Sequence, residues 1–143
     1  MTRRLERGTA TVEFVWLTIL LLAPFVYVLI AVFDTQRASY GVSAASRSAA
    51  RAYLMAADPA SAEQRARVAA RVALRDQGVN ADVLISCLPG PAECLQPGSS
   101  VRVIVRTVQP LPLTPSVLGD QLGGIAVSNT HTESFGTYRA GRS

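Results

Sequence analysis

An uncharged apolar run near the N-terminus constrains this chain more than any other feature. Twenty consecutive residues, from Phe14 to Phe33, carry no charge, and fourteen of them are Leu, Ile, Val or Phe. At about 1.5 Å per residue, a helix of this length crosses a hydrocarbon core of roughly 30 Å. The run therefore predicts a membrane-spanning helix, which Pro24 kinks without breaking.

Flanking charges predict the orientation of this span. Arg3, Arg4 and Arg7 precede it, so the positive-inside rule places the N-terminus in the cytoplasm and everything after Asp34 outside. We therefore expect a single-pass protein of the cell membrane. The formal net charge of +4 over 143 residues is too weak and too scattered for a nucleic-acid-binding surface, so nucleic acid is not an expected partner. The length leaves room for one small exported domain.

The stretch RGTATVEF, residues Arg7 to Phe14, places a glycine before the span and one carboxylate at its edge. Gly8 carries no side chain, so its backbone is sterically open, and glycine disfavours a helix. Glu13 is the fifth residue after Gly8 and lies four residues beyond Thr9 on the same helical face. A carboxylate at the edge of a span is costly unless it is paired, so Glu13 needs a partner, unless it is solvated at the interface.

This spacing resembles the type IV prepilin signal, in which a dedicated peptidase cuts after glycine and leaves glutamate at the fifth mature position. With its alanine- and arginine-rich continuation from Ala44 to Arg51 and its PLPLTP connection, the chain resembles the TadE-like family of pseudopilins from tight-adherence (Flp-type) pilus systems. The proline expected early in the span of that family sits later, at Pro24.

The resemblance implies cleavage between Gly8 and Thr9 and a role for Glu13 in subunit assembly, through the N-terminal amine of a neighbouring subunit. The implied function is that of a minor pseudopilin that assists pilus assembly. The implied partners are the membrane, a prepilin peptidase, other pilin or pseudopilin subunits and the pilus assembly platform, with no small-molecule substrate.

Two other interpretations of the N-terminus stay open. A cleaved secretory signal normally has a shorter apolar run, and the nearest small-residue pair with suitable spacing, Ser43 and Ala45, lies beyond Asp34 and Arg37. An unprocessed single-pass anchor would instead carry an exodomain that binds cell-envelope components. Removal of the first eight residues, or dependence of surface pili on this gene, distinguishes the pilus hypothesis from the unprocessed anchor.

Helical periodicity continues beyond the span. Small or apolar residues recur at spacings of three and four, and they are Ala38, Val42, Ala45, Ala49, Ala52 and Ala56. A seam of small residues permits close helix approach, either to the protein's own core or to another subunit. Gly41 is expected to weaken this predicted stalk helix locally.

A second helix is predicted to begin with Asp58 as N-cap and Pro59 in its first turn, and to end at Gly78. Arg67, Arg71 and Arg75 recur along it at intervals of four. Such a run usually forms a solvated face, and anionic lipid headgroups or wall polymers are its alternative ligands.

Alternation with period two then predicts three strands, at residues 79–87, 101–106 and 125–133. The proline-rich connection before the third strand contains a possible helical turn from Thr114 to Leu122. The predicted fold is α+β and pilin-like, with a long N-terminal transmembrane helix that continues into an exported stalk helix, a second helix and a small three-stranded antiparallel sheet. Its predicted divisions are a leader (1–8), the span (9–33), the stalk (34–57) and an extracytoplasmic α+β domain (58–143).

Both cysteines, Cys87 and Cys94, lie in CLPGPAEC, between the first two predicted strands. In an exported domain a disulfide between them would stabilise the fold by about 2 to 3 kcal/mol. Free thiols and a metal site are the alternatives, although two cysteines and the lone His131 supply few ligands for a metal.

His131 and Glu133 are predicted to share one face of the third strand, so that a histidine to carboxylate contact is possible. The sequence contains no GxSxG elbow and no phosphate-binding loop beside them. A polar terminal strand accounts for both residues, and we expect neither catalytic residues nor a cofactor. An enzymatic interpretation would require a hydrolase activity that His131→Ala abolishes.

Overall fold

The computed structural model describes residues 6–112 and 123–136 of the chain. Two helices come first, α1 (Glu6–Leu54) and α2 (Pro59–Asp76), and three strands follow, β1 (Asp82–Leu88), β2 (Ser100–Pro110) and β3 (Gly124–Ser134). A short 3-10 turn, Pro91–Glu93, lies between β1 and β2. The predicted α+β class is confirmed, whereas the predicted helical turn from Thr114 to Leu122 lies outside the described residues.

Helix α1 runs without interruption through the apolar run and the alanine-rich stalk. Its 49 residues span about 73 Å at the usual rise of an α-helix. Pro24 and Gly41 both lie inside it. The hydroxyls of Thr18 and Thr35 donate to the carbonyls of Phe14 and Ala31, each at 2.8 Å, so the helix itself satisfies these polar groups.

Helix α2 has well-defined caps at both ends. Asp58 precedes it in an extended conformation, and its carboxylate accepts a hydrogen bond from the backbone N–H of Ser61 at 2.9 Å. At the other end Gly78 adopts a φ of +63°, and the N–H of Val79 donates to the carbonyl of Leu74 at 3.0 Å. This is a Schellman C-cap, in which the left-handed residue is glycine because it carries no Cβ.

The three strands form an antiparallel sheet in the order β1-β2-β3. In the centre of the sheet, Val103 of β2 lies between Ile85 of β1 and His131 of β3. Strand β1 begins at Asp82, later than the alternation indicated, because Val79 belongs to the helix cap and its N–H is already bonded there.

The core lies between the helices and one face of the sheet. Helix α1 lies across β2 and β3, while α2 packs against α1 and reaches β1. The central strand contributes fully buried Val101, Val103 and Val105. The helices contribute mainly alanines with no exposed surface, namely Ala38, Ala45, Ala49, Ala50, Ala62, Ala66 and Ala70. The predicted alanine stripe therefore packs within the protein's own domain, with Ala52 and Ala56 half-buried at its far end.

Candidate assembly surface of the N-terminal helix

The two halves of α1 have opposite surroundings. From Val12 to Phe33 the large apolar side chains that face outward are 40 to 71% exposed, whereas Ala38 and Val42 in the stalk are at most 1% exposed. Apart from Ile125, which lines a groove with Tyr27 and Val32, the described domain leaves the first half of the helix uncovered, and its apolar surface is far too extensive for contact with water. This segment is long and apolar enough to cross a membrane once.

Gly8 and Thr9, the predicted cleavage site, lie within α1, because the helix begins at Glu6. The sequence suggested that Gly8 disfavours helix, but in the structure the helix includes it.

Glu13 is exposed on the helix just before the apolar run. Among residues 10–112 and 123–136 the only carboxylates within 4 Å of a basic nitrogen are Glu63, beside Arg67, and Glu133, beside the imidazole of His131. Glu13 consequently has no cationic partner in the described part of its own chain. Its carboxylate is free for a partner outside the domain.

The predicted disulfide between Cys87 and Cys94 is confirmed, with an S–S distance of 2.07 Å. It joins β1 to the turn that follows and lies near the C-terminal end of α1, where the Tyr53 hydroxyl is 3.2 Å from Cys87 Sγ. Burial raises the pKa of Tyr53, and the nearby carboxylate of Glu63 raises it further. The disulfide loop thus belongs to the end of the domain furthest from the apolar half of α1.

His131 and Glu133 share the face of β3 that is turned toward α1, as predicted. His131 Nε2 lies 3.6 Å from Glu133 Oε2, and each side chain is about one third exposed. Two residues earlier on the same face, Asn129 accepts a hydrogen bond from the hydroxyl of Ser46 at 2.7 Å. Sequence reasoning missed this contact, although the period-two spacing from His131 already placed Asn129 on the inner face. The Ser46–Asn129 hydrogen bond attaches the edge strand to the stalk.

Three of the four arginines of α2, namely Arg67, Arg71 and Arg75, recur at intervals of four but have different surroundings. Arg67 contacts Glu63 at 2.7 Å and donates to the carbonyl of Val83 at 3.2 Å, so it ties α2 to β1. Arg71 and Arg75 instead line an open cleft of about 580 Å³, together with Arg106 of β2. The sequence gave no indication that Arg106 joins them, because the contact depends on how β2 passes the end of α2.

No group of three or more His, Cys, Asp or Glu side chains suited to a metal ion occurs in the part of the chain that the structure describes. Comparisons with protein-family models, with curated proteins and with solved structures found no match. Function is therefore inferred from the N-terminal motif and from the geometry of α1.

Proposed function

We propose that this protein is a TadE-like minor pseudopilin, cut after Gly8 by a prepilin peptidase, which assists assembly of a tight-adherence (Flp-type) pilus. One observation carries the proposal. The motif RGTATVEF opens a single helix whose first half exposes its apolar side chains and whose second half forms part of the core of the following domain.

The shared helix argues for a retained anchor and against a discarded export signal. A signal peptidase cut after Ala45 would remove Ala38, Val42 and Ala45, each at most 1% exposed in the core. The buried residues of the described core begin at Ala38, so a cut after Gly8 removes none of them. Processing at Gly8 therefore leaves both the span and the exodomain complete.

Hydrolysis of the Gly8–Thr9 peptide bond leaves a carboxylate on Gly8 and an ammonium group on Thr9. That ammonium would stand at the positive end of a helix dipole, where positive charge is unfavourable and a carboxylate within the first turns is stabilising. Glu13, one helical turn further on, supplies such a carboxylate. In the proposed assembly it pairs with the amine of a neighbouring subunit, which also relieves the cost of a charge at the membrane edge.

Intact mass and N-terminal sequencing of the protein from its native membrane test the proposal. The expected chain begins at Thr9. Gly8→Leu should abolish processing, whereas the matched change Ala10→Leu, two residues beyond the cut, should permit it. A native chain that begins at Met1 or Thr2 would favour the unprocessed anchor, and one that begins near Ser46 would favour the secretory signal.

The role of Glu13 has a separate test. Glu13→Gln keeps the size of the side chain and removes its charge, so it should leave cleavage intact and weaken co-purification with other pilin subunits. Glu13→Asp retains the charge and should restore much of the association. Equal co-purification of all three proteins would contradict the pairing of Glu13 with a neighbouring amine.

A further inference from the structure

The end of the exodomain next to the apolar half of α1 carries an unpaired basic cleft. Its lining includes Arg71 and Arg75 of α2, Arg106 of β2 and a single carboxylate, Asp82. All four side chains are exposed. None of the three arginines forms an ion pair with residues 10–112 or 123–136, where the close contacts of this kind are Glu63 with Arg67 and Glu133 with His131. The cleft therefore holds excess positive charge.

Contacts between α1 and α2 fix the height of this cleft above the span. The end of α2 lies against Gly41, where an added Cβ would be 3.3 Å from Gln77 Cβ. The Arg37 guanidinium lies beside Gly78, with Nη2 3.1 Å from the position of an added Cβ. Arg37 and Gly41 follow the last apolar residue, Phe33, by four and eight positions, or about 6 and 12 Å along the helix.

The sheet supports the same placement. Ile125, at the start of β3, lines a groove with Tyr27, Val32 and other α1 residues at the upper end of the apolar run. Val108 is 63% exposed. Its partner in β3 is Ala126, the residue that follows Ile125. Two residues before Val108, Arg106 lies about 7 Å further along β2 from this edge. Exposed apolar side chains thus lie nearest the hydrocarbon, with the arginines above them.

We propose that this cleft binds the headgroup of an anionic phospholipid in the leaflet from which the exodomain emerges. The polar layer of a leaflet extends roughly 5 to 7 Å beyond the hydrocarbon, and the end of α2 beside Gly41 lies about 12 Å above Phe33, so headgroup contact requires the span to tilt toward α2, as spans commonly do by about 20°. Guanidinium groups bind phosphate oxygens through paired N–H donors. The volume of about 580 Å³ lies within the usual range of ligand sites. This inference rests on the proposed membrane span but not on processing at Gly8.

The test uses the full chain in a neutral detergent, incubated with equal amounts of phosphatidylglycerol and phosphatidylcholine. Native mass spectrometry then measures which lipid is retained. The native protein should retain phosphatidylglycerol preferentially. The triple variant Arg71→Gln, Arg75→Gln, Arg106→Gln should lower that preference by about tenfold or more.

The matched control removes the same charge elsewhere, with Arg47→Gln, Arg51→Gln and Arg102→Gln, all exposed and outside the cleft. It should retain the native preference. An equal loss of the phosphatidylglycerol preference in both triple variants would show that net charge determines retention, and it would contradict a binding site in the cleft. Displacement of phosphatidylglycerol by an equal concentration of inorganic phosphate would show that the cleft binds a free anion, and it would contradict the proposed lipid site. Because the assay reads lipid retention, a chain that still begins at Met1 would contradict the pseudopilin proposal without affecting this result.

Discussion

At the scale of single residues, Asp58 shows how one side chain starts an element and links it to pH. The hydroxyl and the backbone N–H of Ser61 donate to its two carboxylate oxygens at 2.7 and 2.9 Å. Chiefly because of these two hydrogen bonds, the pKa of Asp58 is lower than that of an ordinary aspartate. The folded protein thus favours the ionised carboxylate, and protonation weakens the cap.

We predict that Asp58→Ala destabilises the domain at neutral pH, and that this difference from the native protein shrinks in acid. A lowered folded-state pKa contributes stability above the unfolded pKa, and that contribution is lost as the pH falls through the folded value. Asp58→Asn retains an oxygen that can accept the Ser61 N–H but does not titrate. It should remain closer to native at neutral pH. Denaturation midpoints at neutral pH and near pH 3 measure both effects. A loss of stability in Asp58→Ala that does not change with pH would contradict the prediction.

Local residue signals were readable from the sequence, whereas long-range contacts were not. The Asp58 and Pro59 helix start and the disulfide between Cys87 and Cys94 were predicted because each depends on neighbours within a few positions. The hydrogen bond from Ser46 to Asn129 joins residues 83 positions apart. Neither segment carries a local signal that indicates the other, so this contact could be identified only from the packing of α1 on β3.

At the scale of elements, the pairing of α1 with α2 depends on small side chains. Ala62, Ala66 and Ala70 of α2 are fully buried, and the facing stretch of α1 contributes Ala45 and Ala49. Gly41 lies inside α1 without breaking it. Because glycine has no side chain, α2 approaches closely there, with Gln77 and Val79 against Gly41. Periodicity predicted both helices, but the sequence left open which surface the alanines would meet.

We predict that Ala66→Leu destabilises the domain by about 1 to 3 kcal/mol, because the larger side chain must separate two closely packed helices. Ala60→Leu introduces the same side chain at an exposed position of α2 and should be nearly neutral. Chemical denaturation of the full chain in detergent, followed by circular dichroism, measures the difference. An equally small effect at both positions would show that the helix interface can widen without cost.

At the scale of the whole molecule, one helix serves two environments that usually belong to separate elements. The boundary between them falls between Phe33, which is 66% exposed, and Ala38, which is fully buried. The sequence predicted a transmembrane helix that continues into a stalk helix, and the structure has both in one continuous helix. Any force or displacement on the span is therefore transmitted directly to the core through Val42, Ala45 and Ala49.

We predict that a chain beginning at Asp34 folds cooperatively and forms the Cys87–Cys94 disulfide, whereas a chain beginning at Ser46 does not. The shorter chain lacks Ala38, Val42 and Ala45, and burying a valine alone contributes about 1.5 kcal/mol or more. Cavities left in the core add to that loss. A domain of this size has only about 5 to 15 kcal/mol of stability in total. Denaturation curves of the two purified chains distinguish the outcomes. Equal stability would place the stalk outside the core and would make removal of the entire N-terminal helix by a signal peptidase structurally acceptable.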